Sequence, residues 1–348
     1  MVTDKTTSAV NLHTPTRIKA RRGDVGQWMR FMDYLVVDER ERHELMRWCA
    51  TIIARPDIRM EYGTLMVSEH QGIGKTTLGS QILAPLVGIQ NVGTPTENDI
   101  VNSDFNEWLA NKRLVIVNEI YSGHSWKAYN RLKSYITDRE VTVNQKYQRP
   151  YLVENWAHVF ACSNSLRALR MEEDDRRWFY PTLTEVSWSR DKFTELHGWL
   201  KSGGLSIIKQ WAERWEDYIL PGQRAPMTER KRELITESRS EAQRECASLA
   251  NTISELEQPI VLAMKEIEGW VRSSVQGKVF DSDYELRKAM KECGAAVYPK
   301  RVKLGGRLQY VVMNRAALSI IERSEPPTHL EQMKGWMTNP NKLLEAEI

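Results

Sequence analysis

Between Val25 and Ala54 the apolar residues Trp28, Phe31, Met32, Leu35, Leu45, Trp48 and Ile52 recur near helical spacing. They predict a small helical N-terminal domain over residues 1–60, whose polar first fifteen or so residues are expected to be disordered. The pattern then changes. Gly63 to Ser68 is a short continuous apolar run, predicting a buried strand, and Lys75 to Val87 predicts a helix. Ser103 is a good N-cap for a second helix running through Trp108, and Arg113 to Ile120 reads as the next apolar strand. His124 to Ile136 reads as helix. Val141 to Val153 reads as a strand, a basic turn and a second strand, and His158 to Asn164 as an apolar strand that ends in polar residues. Strands alternating with helices predict an α/β core over 61–220, a mainly parallel sheet with helices on both faces.

After Leu183 the pattern turns helical, with Trp199, Trp211 and Trp215 on packing faces, and Pro221 to Pro226 reads as a linker. Residues 221–348 predict a separate α+β domain. It has a helix over 258–274, another over 282–293 stopped by Gly294, and a hairpin from Ala296 to Asn314 turning at Gly305-Gly306. Helices followed by a basic hairpin suggest a winged helix by analogy of fold.

Composition narrows the class. A chain of 348 residues is long enough for two or three cores. No stretch reaches the roughly 18 apolar residues of a membrane span, and Met1 to Val10 lacks the apolar segment of a secretory signal. Cys49, Cys162, Cys246 and Cys293 lie far apart without C-x-x-C spacing, so they read as core thiols and not as a zinc site. The net charge of +3 is mild, but it is clustered: Thr16 to Arg22 carries four basic residues and no acid, and Lys300, Arg301, Lys303 and Arg307 repeat the theme near the other end. Each cluster alone reads as solvated surface; two of them beside a nucleotide motif raise nucleic acid as a partner.

That motif is Ser68 to Thr77, SEHQGIGKTT, most of a G-x-x-x-x-G-K-[ST] phosphate loop with Glu69 at the position of the first glycine. Gly72, Ile73 and Gly74 would bring backbone N–H groups to phosphate oxygens, Lys75 would pair with the β/γ-phosphates, Thr76 would hold Mg2+, and Thr77 lies one turn further in. Glu69 sits where the loop needs a turn and not a phosphate contact, so it fits if its φ stays negative and its carboxylate faces solvent. Val117-Asn118-Glu119 ends a strand as a Walker B element does: Asn118 offers a neutral oxygen toward the metal, and Glu119 is the candidate general base and a further metal-site residue. An ordinary polar strand end is the plainer reading of that triplet. Asn164, ending the next apolar strand, would touch the γ-phosphate or orient the attacking water. Glu172 to Phe179 follows acids with Arg176 and Arg177, either of which would stabilise charge on a neighbour's γ-phosphate or hold a surface salt bridge.

Taken in series, Gly72 to Thr76, Val117 to Glu119, Leu132 to Thr137 with Asn144 to Tyr147, Ala161 to Asn164, and Asp175 to Arg177 resemble the superfamily 3 helicases. These are AAA+ motors of small DNA viruses, phages and mobile elements, and the nearest likeness is to the helicase half of phage and plasmid primase-helicases. The resemblance covers residues 61–182. It implies an AAA+ core, ATP and Mg2+ as cofactors, a ring that is usually a hexamer around single-stranded or forked DNA, and a primase as possible partner, in the cytoplasm of a bacterial or phage-infected cell. It places Lys146 and Tyr147 at the tip of a pore hairpin, with Gln148 and Arg149 beside them, a lysine for phosphate and an aromatic for stacking. Three other functions stay open: a replication initiator that assembles on duplex DNA without unwinding it, a P-loop kinase, and a DNA-binding subunit with a decayed ATPase.

Overall fold

The protein is described by a computed structural model that covers residues 14–120, 126–165, 175–237, 240–275, 279–280, 282–304 and 306–345, and the backbone of 2–3 and 8–9. It forms two compact units, Met1–Ser238 and Arg239–Ile348. The boundaries read from sequence at 60 and 220 both fall inside the first unit. At the N-terminus, Val2–Thr3 pairs with Ser8–Ala9 as a short antiparallel ladder; the rest of the expected disordered stretch, up to residue 13, lies outside the described residues.

The strands of the first unit are β1 (Gly63–Val67), β2 (Val92–Gly93), β3 (Leu114–Val117), β4 (Glu140–Val143), β5 (Tyr151–Glu154), β6 (His158–Ser163) and β7 (Trp178–Phe179). Five of them make one parallel sheet in the order β2-β3-β6-β1-β7, and β4 and β5 form a separate antiparallel hairpin. The fold is therefore mixed α/β with a parallel sheet, as the alternation of elements predicts. Its helices are α1 (Gly26–Leu35), α2 (Glu39–Ala54), α3 (a π-wound Thr77–Leu83 continuing as Ala84–Val87), α4 (Glu97–Val101), α5 (Trp126–Thr137), α6 (Arg190–Trp199), α7 (Leu205–Glu213) and α8 (Glu229–Glu237).

Alternation along the strands sends side chains to two cores. Met66, Ile116, Phe160 and Cys162 meet Trp28, Phe31, Trp48, Leu78 and Ile208 on one face. Leu65, Val67, Val115, Val117 and Val159 meet Leu132, Ile136, Leu234 and Ile235 on the other. This is why no boundary exists at residue 60: α1 and α2 supply one face of the sheet with its cover. The Pro221–Pro226 stretch is irregular yet tied down, since Ile219 N donates to Thr51 Oγ1 at 3.0 Å and Ala225 N to Arg176 O at 2.9 Å. Helix α3 lies close against the sheet because Gly79 has no Cβ; one built there would stand 2.8 Å from the Phe160 ring.

Local chemistry moved one helix. Thr96 and Asp99 form a reciprocal capping box that starts α4, whereas Ser103 accepts from Phe105 N at 3.0 Å in a local turn and caps no helix. Only the single 3-10 turn Glu107–Leu109 follows it. The start of α5 expected at His124 lies outside the described residues.

The second unit contains β8 (Val261–Ala263), β9 (Ala296–Val297), β10 (Val302–Leu304), β11 (Arg307–Gln309), β12 (Val311–Met313) and β13 (Met337–Thr338). Its helices are α9 (Glu241–Glu255), α10 (Met264–Ser274), α11 (Asp283–Glu292), α12 (Arg315–Arg323), α13 (Pro326–Gly335) and α14 (Pro340–Glu345). The sheet order is β9-β12-β8-β13, with β10 and β11 as an outer hairpin. The expected helix over 258–274 thus begins only at Met264: Val261–Ala263 is an interior strand, paired on both sides and fully buried. Ser282 caps α11 and Gly294, at φ +88, ends it.

One buried group ties stability to pH. His158 Nε2 accepts from Met60 N at 2.8 Å and Nδ1 faces Arg113 O at 3.1 Å, which fixes the neutral Nδ1–H form. Burial, and then the nearby Arg113 charge, hold its pKa well below the usual value. A depressed histidine pKa means that the unfolded chain takes up the proton first. The stabilisation is complete above about pH 6.5 and is lost as pH falls toward the folded-state pKa. Urea midpoints should therefore drop between pH 7.5 and pH 5.5 in the parent, and His158→Asn should reduce that difference; equal pH dependence in both would remove His158 as the cause.

Candidate active site

Strand β1 ends at Val67, and Ser68 N donates to Ser163 O at 3.2 Å, extending the pairing with β6 by one step. Ser68 Oγ then accepts from His70 N at 3.2 Å and opens the turn. The described non-glycine residues with positive φ are Asn111 and Tyr147, so Glu69 keeps an ordinary backbone, and its side chain is exposed. The conformational demand falls on Gly72 and Gly74, at φ +73 and +104. Gly74 has a second reason to be glycine, because a Cβ there would stand 2.8 Å from the ring of Phe31 on α1. Leu78 N donates to Gly74 O at 2.9 Å, and α3 begins.

Lys75 is only 7% exposed. Its Nζ donates to Ser68 O and to Asn164 Oδ1, both at 2.8 Å. Burial holds its pKa below the usual lysine range. The sheet order explains the second contact: β6 lies between β1 and β3, so its end brings Asn164 between the loop after β1 and Asn118-Glu119 after β3. A cavity of about 510 Å3 opens there, lined by residues 71–77, Asn118, Glu119 and Asn164, and by Phe193 and His197 of α6. Thr76, Asn118 and Glu119 are exposed in it, Ile73 and Thr77 are buried, and Asn118 Oδ1 lies 3.5 Å from Ser80 Oγ. The structure thus brings together Gly72, Ile73, Gly74, Lys75, Thr76, Thr77, Asn118, Glu119 and Asn164. Among the described residues no group of three or more His, Cys, Asp or Glu is placed to hold a metal, so any cation here meets a hydroxyl, an amide oxygen and one carboxylate.

Arg176 and Arg177 stand elsewhere. Gly63 N donates to Arg177 O at 2.8 Å, which puts the pair at the start of β1, while the loop follows its end. Four strand steps of about 3.3 Å already separate them by roughly 13 Å. Arg176 is exposed. Arg177 Nη1 lies 4.0 Å from Asp175 Oδ2, and its buried Nε has no partner. Asp175 is buried, and its Oδ1 accepts from Arg177 N, Trp178 N and Lys231 Nζ at 3.1, 3.0 and 3.0 Å. Lys231 Nζ also donates to the carbonyls of Asp175 and Trp178 at 2.7 and 2.9 Å. Nothing in the polar run Glu229 to Glu233 marks Lys231 as a core residue, and sequence reasoning missed it. Glu172, Glu173 and Asp174 lie outside the described residues.

In the β4–β5 hairpin Val143 faces Tyr151, leaving 144–150 as the tip. Lys146, Tyr147, Gln148 and Arg149 are all exposed; Tyr147 is 103% exposed at φ +65, and Lys146 Nζ stands 5.6 Å from the Phe105 ring. Asn106 braces the base, accepting from Asn144 N at 2.7 Å and donating to Thr142 O at 2.9 Å. In the second unit Lys303 and Arg307 are exposed on β10 and β11, and Lys300 and Arg301 are exposed in the bend that leads from β9 into β10. Arg301 lies 5.2 Å from the Tyr310 ring, and Arg287 of α11, which the sequence did not single out, 3.8 Å from it.

Residues 66–177 match a family of unknown function (DUF5906). A stretch of 112 residues is 27% identical to the DNA primase-polymerase of Nitratiruptor phage NrS-1, covering 30% of this chain and 16% of that protein. The chain is also similar to solved structures of the NrS-1 C-terminal region. One apo structure gives a TM-score of 0.57 at 18% identity, covering 87% of this chain and 79% of that one. An A-form apo structure gives 0.60 at 16% identity, covering 89% and 81%. At such identities the likeness is one of fold.

The Asp175–Lys231 pair makes a stability prediction. Removing Lys231 takes away the buried ammonium and leaves the Asp175 carboxylate to two backbone N–H groups and to Arg177 at 4.0 Å, so Lys231→Ala should destabilise the first unit by about 3 kcal/mol. The paired change Asp175→Asn with Lys231→Met should cost clearly less. Urea unfolding of the parent and of both variants checks this, and equal losses in the single and double variants would contradict it.

Proposed function

We propose that the chain is an ATP-driven DNA motor, a superfamily 3 helicase with an AAA+ P-loop core, that serves replication of a phage or mobile element. The observation that carries this reading is Lys75, held between Ser68 O and Asn164 Oδ1 at a cavity that also exposes Glu119. A lysine at the phosphates, a neutral amide beside it and a carboxylate across from both are the parts that phosphoryl transfer to water needs. In this reading backbone N–H groups of 72–77 and Lys75 bind the β/γ-phosphates. Glu119 takes a proton from the water that attacks the γ-phosphorus as the bond to the bridging oxygen breaks, and Asn164 orients that water. Thr76, Asn118 and Glu119 supply oxygen donors suited to Mg2+, which would neutralise charge on the phosphates.

The distance of Arg176 and Arg177 from their own cavity supports action on a neighbour's nucleotide, hence a ring, with a hexamer as the family's usual number. Arg176 is the better finger because it is exposed, whereas Arg177 sits against Asp175. The exposed hairpin tip at Lys146 to Arg149 suits a grip on single-stranded DNA that ignores sequence. The relative named a primase-polymerase resembles this chain through its C-terminal region, which supports a primase as partner or as a joined domain. A second reading, a replication initiator on duplex DNA, is favoured by the Arg287–Tyr310–Arg301 stack and the basic hairpin of the winged-helix-like second unit.

The motor reading is tested on hydrolysis. Lys75→Ala should abolish DNA-stimulated ATP turnover; Glu119→Gln should retain ATP binding and lose turnover by at least about 100-fold, the scale of a lost general base. Lys146→Ala with Tyr147→Ala should weaken single-stranded DNA binding and fork unwinding while basal hydrolysis persists. Normal turnover in Glu119→Gln would move the base elsewhere, and normal unwinding in the hairpin variant would favour the initiator.

A further inference from the structure

Two residues of the cavity belong to none of the phosphate-binding parts. Phe193 and His197 project from α6, four residues apart and therefore on one face, with ring centroids 6.2 Å apart. His197 Nε2 is buried without any hydrogen-bond partner. A buried ring nitrogen left unpaired carries a desolvation penalty that a partner would relieve, so such an atom lining a cavity marks where a ligand group belongs. Phe193 lies near the loop on the same side, 3.5 Å from where a Gly74 Cβ would be, and stacks edge-on with Trp188 at 5.7 Å.

The ligand end that these residues suit follows from their chemistry. Phosphate oxygens need N–H groups and cations, which 72–77 and Lys75 supply; an aromatic face has nothing to offer them. A flat base or a ribose needs an apolar wall with one polar contact at its edge. We infer that Phe193 and His197 form the nucleoside end of the pocket, with Phe193 walling the base and His197 Nε2 hydrogen-bonding the base or sugar. This rests on the proposed nucleotide site and adds what recognises the nucleoside. It also gives α6 a role beyond packing on α1: the helix that covers the sheet would close the pocket's second end.

The test separates the two ends of the ligand. Calorimetric affinities of the parent, His197→Ala and His197→Gln are measured for ATP and for inorganic tripolyphosphate, with thermal unfolding of each variant in parallel. His197→Ala should bind ATP about 10-fold more weakly, one lost hydrogen bond, with tripolyphosphate affinity unchanged. His197→Gln, which keeps a donor and an acceptor, should recover part of the loss. An equal loss for both ligands would make His197 a phosphate contact and overturn the inference, as would unchanged ATP affinity in His197→Ala. If the parent bound neither ligand, the nucleotide site itself would fail, and this inference with it. Should His197→Ala unfold, the Gln variant alone decides: its loss must be confined to ATP.

Discussion

A buried ammonium must have acceptors, and in this fold Lys75 finds them only because β6 runs between β1 and β3. Ser68 O comes from the strand that leads into the loop, and Asn164 from the strand beside it. The same insertion draws the ends of three parallel strands to one edge, so the loop, Asn118-Glu119 and Asn164 converge although up to about ninety positions separate them along the chain. The two α-helical covers then have one task each. Helices α1, α2, α6 and α7 pack the face under the loop, and Phe31 of α1 comes close enough that residue 74 must be glycine. Helices α5 and α8 pack the other.

Lys231 plays a comparable part at the opposite end of the strands. It gathers Asp175 and Trp178 into a buried cluster and so fixes the backbone on either side of Arg176, while the Arg176 side chain stays in solvent. In the proposed motor, a charged side chain held on a rigid base, roughly a strand's length from its own subunit's cavity, is suited to a neighbour's nucleotide. In the proposed motor that separation is what makes assembly and hydrolysis depend on each other.

Much of this was legible in the sequence. The three strand runs around Leu65, Ile116 and Phe160 are continuous and apolar because they are buried on both faces, and that signal survives without structural help. The loop glycines, Lys75, Glu119 and Asn164 could be found because each ends or follows such a run. Less legible were contacts made by tertiary placement alone. Lys231 sits in a charged stretch indistinguishable from surface, and His197 in an amphipathic helix whose apolar face explains it equally well. Domain limits failed for a related reason: an amphipathic pattern at 25–54 shows that a face is buried, but not that it is buried against the sheet. Ser103 misled because a serine serves a local turn as readily as a helix cap, and Thr96 with Asp99 made the stronger cap seven residues earlier.

Electron microscopy of the protein with a non-hydrolysable ATP analogue and single-stranded DNA bears most directly on the proposed motor. The expected particle is a closed ring with nucleotide against Lys75 and Asn164 in each subunit, a neighbour's Arg176 facing it, and the DNA strand at the Lys146–Tyr147 tips. Single subunits that hold nucleotide in the same cavity, with Arg176 far from any phosphate and no strand at the hairpin, would contradict it.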